Sequence, residues 1–265
     1  MKNLLADCSQ CFGLCCVALP FARSSDFAAD KAGGDPCNNL QNDYRCGIHS
    51  ALRDKGFRGC TVYDCFGAGQ KVSQDTYDGR SWLQNRETAR EMFDVFPVMR
   101  QLHELLWYLT EAVDASATRR IHGALRQSLN ETRALTDHTP AQLLELDIDA
   151  HRARTNTLLL EASDLVRAQA PGKKKNHRGA DLVGKKLGGA DLRGASFRGA
   201  YLIAADLRRA DMRWADMIGA DLRDADLRGA DMRNSLYLTQ FQINAARGDA
   251  ATRIPESLTR PPHWG

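Results

Sequence analysis

The sequence predicts a multidomain chain: a Cys-rich metal-binding head (1–79), an α-helical middle (80–172), a right-handed quadrilateral β-helix (173–244) and a C-terminal capping tail (245–265). Three observations predict this division. An apolar residue returns every five positions from 180 to 234. Apolar side chains follow a 3,4 spacing between 84 and 170. All eight cysteines lie between Cys8 and Cys65.

The five-residue period is read from blocks such as Ala190-Asp191-Leu192-Arg193-Gly194 and Ala210-Asp211-Met212-Arg213-Trp214. Eleven consecutive blocks keep the frame, with Leu, Met or Phe always third and Ala first in all but the block led by Lys185. A spacing of five fits neither a helix nor a plain strand. It fits a coil with one block on each of four sides, the first and third residues pointing inward. This pattern resembles the pentapeptide-repeat family, over roughly residues 176–244, and the resemblance implies a stacked β-helix. With rungs ~4.8 Å apart, eleven blocks give a little under three coils and a rod on the order of 15 Å. A stack with open ends needs caps. Leu236, Leu238, Phe241 and Ile243, followed by Pro255, Pro261 and Pro262, are expected to close one end. The domain before the repeats is expected to close the other.

In the middle segment, Met92, Phe93, Phe96, Met99, Leu102, Leu105, Leu106 and Leu109 trace an amphipathic helix, which Pro97 is expected to kink or delay. Ile121, Leu125 and Leu129 mark a second helix. A third follows the cap pair Thr139-Pro140 and runs through Leu143 and Ile148 to Val166. The segment reads as a self-packed bundle or as a homodimer element. Pro171-Gly172 and three lysines mark the hinge before the β-helix.

The head carries Cys8-x-x-Cys11-x-x-x-Cys15-Cys16, then Cys37, Cys46, Cys60 and Cys65. A two-residue spacer brings two thiolates within reach of one ion, and thiolates are soft ligands for zinc and for iron–sulfur clusters. A segment with so few large aliphatic residues also needs a metal or disulfides to fold. The layout resembles the zinc- or iron-chelating CxxCxxxCC domain family, in which Pro-Cys-x-x-Leu and Cys-x-Ile-Tyr follow the first cluster. Cys37 with Leu40, Cys46 with Ile48, and Cys60 keep that order. His49 stands where the family has Tyr, and the Arg-Pro pair expected before the later cysteine is missing. The resemblance implies metal binding, with all eight cysteines as candidate ligands for zinc or an iron–sulfur cluster. Eight thiols allow one site with spare thiols or two sites, with His49 as a further candidate.

The chain carries a net charge of +3. Residues 173–234 hold 14 basic and 9 acidic side chains, so the basic surplus sits on the β-helix and the lysines before it. Residues one coil apart share a face, so Arg193, Arg213 and Arg233 should line one side and Arg208 and Arg228 the next. They form either a face balanced by Asp191, Asp211 and Asp231 or a contact for a protein partner with an acidic surface. Trp214, read as the single large outward aromatic, marks a protein contact. Without interleaved aromatics, sequence-specific nucleic-acid reading is not expected. The family resemblance also raises a gyrase-directed DNA mimic, an activity that calls for a long acidic rod; this one is short and basic. No Ser/His/Asp or phosphate-loop pattern stands out, and the reading leans away from an enzyme. The apolar stretch from Cys11 to Ala22 is too short to span a bilayer and lacks the basic start of a signal peptide, so a cytoplasmic protein off the membrane is expected. The leading expectation is a metal-binding adaptor that docks through its β-helix. The rival is a redox-active iron–sulfur enzyme or sensor.

Overall fold

The computed structural model describes residues 2–265. Contacts divide the chain into two compact units, Met1–Thr110 with Ala124–Thr157, and Glu111–Gly123 with Leu158–Gly265. The helices expected to form a separate middle are therefore shared out between them.

In the first unit the core gathers Leu14 and Val17 from the Cys-rich segment, Val72, and Met92, Phe96, Met99 and Leu102. The last four lie on one face of the helix Arg86–Asp114. This helix starts before Pro97 and continues through it. Pro97 is exposed, so the Phe93 carbonyl that loses its helical partner lies on the side of the helix that water can reach. The helix His122–Leu135 is preceded by a 3-10 turn, Ser116–Ile121. The expected third helix is two helices, Pro140–Glu145 and Ile148–Ala168. Thr139 and Gln142 form a capping box on the first. The break comes at Leu146, whose backbone is extended, and Asp147 restarts the chain by accepting the Ala150 N–H at 2.9 Å. The apolar period runs across this break, which is why the sequence reads as one helix.

The Cys-rich segment is mostly turns. Its short regular pieces include helices at Leu14–Val17, Arg58–Thr61 and Ala68–Gln70, antiparallel bridges Phe21↔Lys31 and Leu40↔Cys46, and a π-helical turn at Lys71–Thr76.

The second unit is built on the β-helix. Each side contributes one bridged residue per coil rather than a long strand. Parallel bridges link Asn176, Ser196, Asp216 and Leu236 on one side and Asp191, Asp211, Asp231 and Arg253 on another. The inward positions are as the period predicts: Ala195, Phe197, Ala200, Leu202, Leu207, Met212 and Leu227 have essentially no exposed surface. The fifth position of every block turns the corner in the left-handed region. Glycine supplies it at Gly184, Gly194 and Gly219, but Ala204, Arg209, Trp214, Asp224 and Asn234 adopt it too. The winding is longer than eleven blocks imply, because Arg247 and Arg253 still bridge to Asp226 and Asp231. The helix Gln240–Ala245 interrupts this last coil, and Trp264 packs against Gly248. At the start of the winding, Leu182 and Leu187 are only half-buried.

The stretch after Leu158 lies along one flank of the coil. Arg167 Nε donates to the Gly194 carbonyl at 2.9 Å, Ser163 Oγ to Asp216, and Tyr237 OH to the Leu159 carbonyl at 3.0 Å. No helix among the described residues is long and apolar enough to cross a membrane.

Candidate functional site

The cysteines are drawn together by the turns that hold them. The Cys37 N–H donates to the Cys16 carbonyl at 2.9 Å, and the Leu40↔Cys46 bridge closes the loop that carries Cys46. Gly69 sits beside two further thiols: a Cβ there would lie 2.7 Å from Cys11 Sγ and 3.8 Å from Cys65 Sγ. Cys15 and Cys16 Sγ are 3.9 Å apart. All eight cysteines are free thiols, with Cys8 and Cys60 exposed and the others half-buried.

Their electrostatics follow from this crowding. Burial pushes the Cys11 thiol up to about 11, against the pull of the Leu14 and Gly13 backbone N–H groups and the Ser73 hydroxyl. Cys65 is raised by burial and opposed by the N–H groups of Gly69 and Gly67, and Cys46 by burial opposed by Ile48. Backbone N–H groups aimed at sulfur stabilise a thiolate without requiring a second charge. Cys15 and Cys16 titrate as a pair: the Cys15 S–H is held protonated by its bond to Cys16, whose thiolate is favoured by Cys15 and by Lys31. Cys65 raises Cys11, Cys11 and Cys65 raise Cys15, and Cys16, Cys37 and Cys46 raise Cys60; the Cys15–Cys16 pair joins these groups, and Cys8 feels Cys65, Cys16 and Cys46.

Lys31 gave no sign in the sequence. Lys31 is buried, and its Nζ donates to the carbonyls of Val17, Ala32 and Asp35 at 2.9, 2.9 and 2.8 Å. A lone lysine before two glycines has no motif to mark it. Among the described residues, no three His, Cys, Asp or Glu side chains stand ready as a closed ligand set. At Gly69 the missing side chain lets the backbone pass close to the Cys11 and Cys65 sulfurs.

On the β-helix every candidate arginine is clamped by the aspartate two residues before it. Arg193 Nε and Nη2 lie 2.8 and 2.7 Å from Asp191, and Asp191 also accepts the Arg193 backbone N–H at 3.2 Å. Arg208 with Asp206, Arg213 with Asp211, Arg228 with Asp226 and Arg233 with Asp231 repeat the bidentate pair. Longer contacts of 3.7 Å for Arg208–Asp226 and 3.8 Å for Arg193–Asp211 join successive coils. The arginines therefore stand in charge-balanced ladders rather than as a bare cationic stripe. Trp214 is half-buried, with the Arg213 guanidinium 5.2 Å from its ring. It is not the single large outward aromatic: Tyr201, in the second position of its block, is 54% exposed. His103 is buried, with Nδ1 2.7 Å from the Phe66 carbonyl.

Comparison with known proteins bears on both units. The family model described as pentapeptide repeats matches residues 178–209 and 195–234. The uncharacterized protein YybG of Bacillus subtilis (strain 168) is 63% identical over 265 residues, covering 99% of this chain and 95% of YybG. A pentapeptide repeat protein from the Arabidopsis thaliana thylakoid lumen is similar over 36% of this chain and 63% of its own, at 22% identity and a TM-score of 0.21. Another, from Nostoc Pcc 7120, is similar over 36% of this chain and 84% of its own, at 28% identity and a TM-score of 0.25. The frame of repeats, the stacked coil they form and the near full-length match together place the chain among the pentapeptide-repeat proteins, in one family with YybG.

Proposed function

We propose that the chain is a metal-dependent adaptor: a thiol-rich unit that takes up zinc or an iron–sulfur cluster, joined to a β-helix that serves as a rigid docking surface for a protein partner. One observation carries the metal half. Thiols from four separate stretches of chain lie within electrostatic reach of one another, unbridged, with backbone N–H groups turned toward Cys11, Cys46 and Cys65. Such N–H groups oppose the burial that raises these three thiols, and so lower the cost of the deprotonated sulfur that a metal needs. The CxxCxxxCC resemblance supports the same reading. The eight cysteines are the candidate ligands, for one site with spare thiols or for two. A bound zinc would organise the fold, and a cluster would add electron transfer.

The adaptor half is supported by the regular Asp–Arg ladders and by Trp214 and Tyr201 on the coil's outside. Balanced ladders suit a polar protein contact better than mimicry of an acidic polymer.

The test is metal content, acid-labile sulfide and visible spectrum after purification without oxygen. Zinc with no colour supports a structural site. Iron with matching sulfide supports a cluster and the redox reading. A metal-free protein whose thiols all react at once with a disulfide reagent would overturn the metal reading.

A further inference from the structure

A cavity of about 760 Å³ opens on the β-helix unit, beside the corner that carries Trp214. Two of the residues that line it carry a buried polar atom without a hydrogen-bond partner: Glu111 Oε2 and Ser235 Oγ. Glu111 is half-buried as a residue, but this oxygen is closed off from solvent. A buried oxygen left unpaired is costly, and a fold that keeps two of them in the wall of one cavity leaves them for a ligand to satisfy. The second observation is charge. Arg213 and Arg233 also line the cavity, yet each guanidinium is already held by a carboxylate, Asp211 and Asp231 respectively. Asp114 and Glu256, also in the lining, are exposed and matched by no cation among the described residues. The unbalanced charge of the cavity is therefore negative. Its walls add the Trp214 ring, Val166, Leu236 and Ile254.

We infer that this cavity binds a small organic cation, an ammonium or guanidinium group on an apolar stem. The charged head sits against Glu111 and Ser235, and the stem lies along Trp214. The reading is independent of the metal proposal, since every lining residue belongs to the β-helix unit.

Burial holds the Glu111 carboxyl up at about 8, with the Tyr237 backbone N–H opposing, and the nearby Asp216 and Asp114 raise it further. Asp216 is itself paired with Arg198; Arg213, Arg233 and Glu256 complete the charged groups around the cavity. A cation entering at neutral pH must therefore displace the Glu111 proton to solvent. Affinity should tighten roughly eightfold from pH 7 to 8.5, the ratio of the ionised fractions of an acid near 8.

The test is calorimetric titration of the full chain with agmatine and n-butylammonium, with butyramide as the uncharged control, in two buffers of different ionisation heat. The expected result is saturable binding of both cations, proton release at pH 7, no binding of butyramide, and loss of binding in Glu111→Gln. Trp214→Ala, which leaves Glu111 in place, should weaken the cations about tenfold. The inference is overturned if neither cation binds at pH 8.5, if butyramide binds equally, or if a folded Glu111→Gln binds as the parent does.

Discussion

Ser163 Oγ donates a 2.6 Å hydrogen bond to Asp216 Oδ2, a carboxylate with no exposed surface on the flank of the β-helix. Arg198 Nη1 reaches the same oxygen at 3.0 Å. The neighbouring sides carry Asp–Arg pairs two residues apart. Here the fourth position is Ile218, so Asp216 takes its cation from the coil below and its hydroxyl from the helical stretch. Asp216→Ala removes the counter-charge of a buried guanidinium and should cost about 3–5 kcal/mol. Ser163→Ala leaves the ion pair intact and should cost less, about 1.5–3 kcal/mol for a bond to a charged group. Urea unfolding of both variants checks this order, and a larger loss in Ser163→Ala would contradict it.

Gly194 and Gly184 occupy the same corner position with the same φ of +62°, but only Gly194 is crowded. A Cβ there would come within 2.8 Å of the Arg167 carbonyl and the Ala170 Cβ, while at Gly184 it would meet nothing. Gly184→Ala should cost only the left-handed backbone penalty, about 1–2 kcal/mol. Gly194→Ala adds a backbone clash and should cost clearly more. Equal melting temperatures for the two variants would mean that the helical stretch does not pack at this corner.

The β-helix was legible because its period is enforced at every block: Ala195, Phe197 and Leu207 fill the interior as the frame predicts. The corner was equally present in the sequence, as the glycines at 184, 189, 194, 199, 219 and 229, but non-glycine corners such as Trp214 and Arg209 obscured it. The last coil was hidden because Arg247 and Arg253 pair through backbone bonds that need no sequence repeat. The head was legible only as chemistry. Cysteine spacing marks candidate donors, but which sulfurs approach each other depends on tertiary contacts such as the one at Gly69, which spacing does not show. Glu111 escaped notice because it sits in an ordinary amphipathic helix. What sets it apart is the enclosure of one oxygen, a tertiary property.

Leu207 and Leu187 hold the same third position in their blocks, but Leu207 is completely buried and Leu187 half-exposed. Leu207→Lys forces an ammonium into the closed column, where no partner exists in the repeat frame. The β-helix should lose cooperative melting by circular dichroism. In Leu187→Lys the long stem can carry its charge out to water, so this variant should keep a cooperative transition. A parent-like melt for Leu207→Lys would show the frame to be misassigned.

The Asp–Arg ladders give the coil an acid limit. Hydrogen bonds from Arg193 and Arg208 hold Asp191 and Asp206 down at about 2. These folded values lie below the ~3.9 of an unfolded aspartate. The contribution is therefore complete above about pH 4 and is lost as pH falls toward 2. The pairs are solvent-facing, so salt should weaken them. Thermal melts between pH 5 and 2 should show a falling melting temperature in low salt, with a shallower fall in 0.5 M sodium chloride. A melt that does not change with pH would remove the ladders from the stability of the coil.

Glu111 should give the opposite dependence. Burial raises its folded carboxyl to about 8, above the ~4.3 of an unfolded glutamate. Between those values the unfolded chain has lost the proton and the folded chain keeps it, so stability falls as pH rises from about 4.3 to 8 and levels off beyond. Glu111→Gln replaces the acid with a neutral group of the same shape and removes this slope. At pH 5 the variant should melt close to the parent. At pH 8.5 it should be more stable by a few kcal/mol, because each tenfold change in proton affinity between the two states is worth ~1.4 kcal/mol. Paired melts across pH 5–9 on ligand-free protein measure the difference directly. A constant offset between the two curves would show that the carboxyl titrates like an exposed one, whereas a gap that widens to pH 8 and then holds identifies Glu111 as the buried acid.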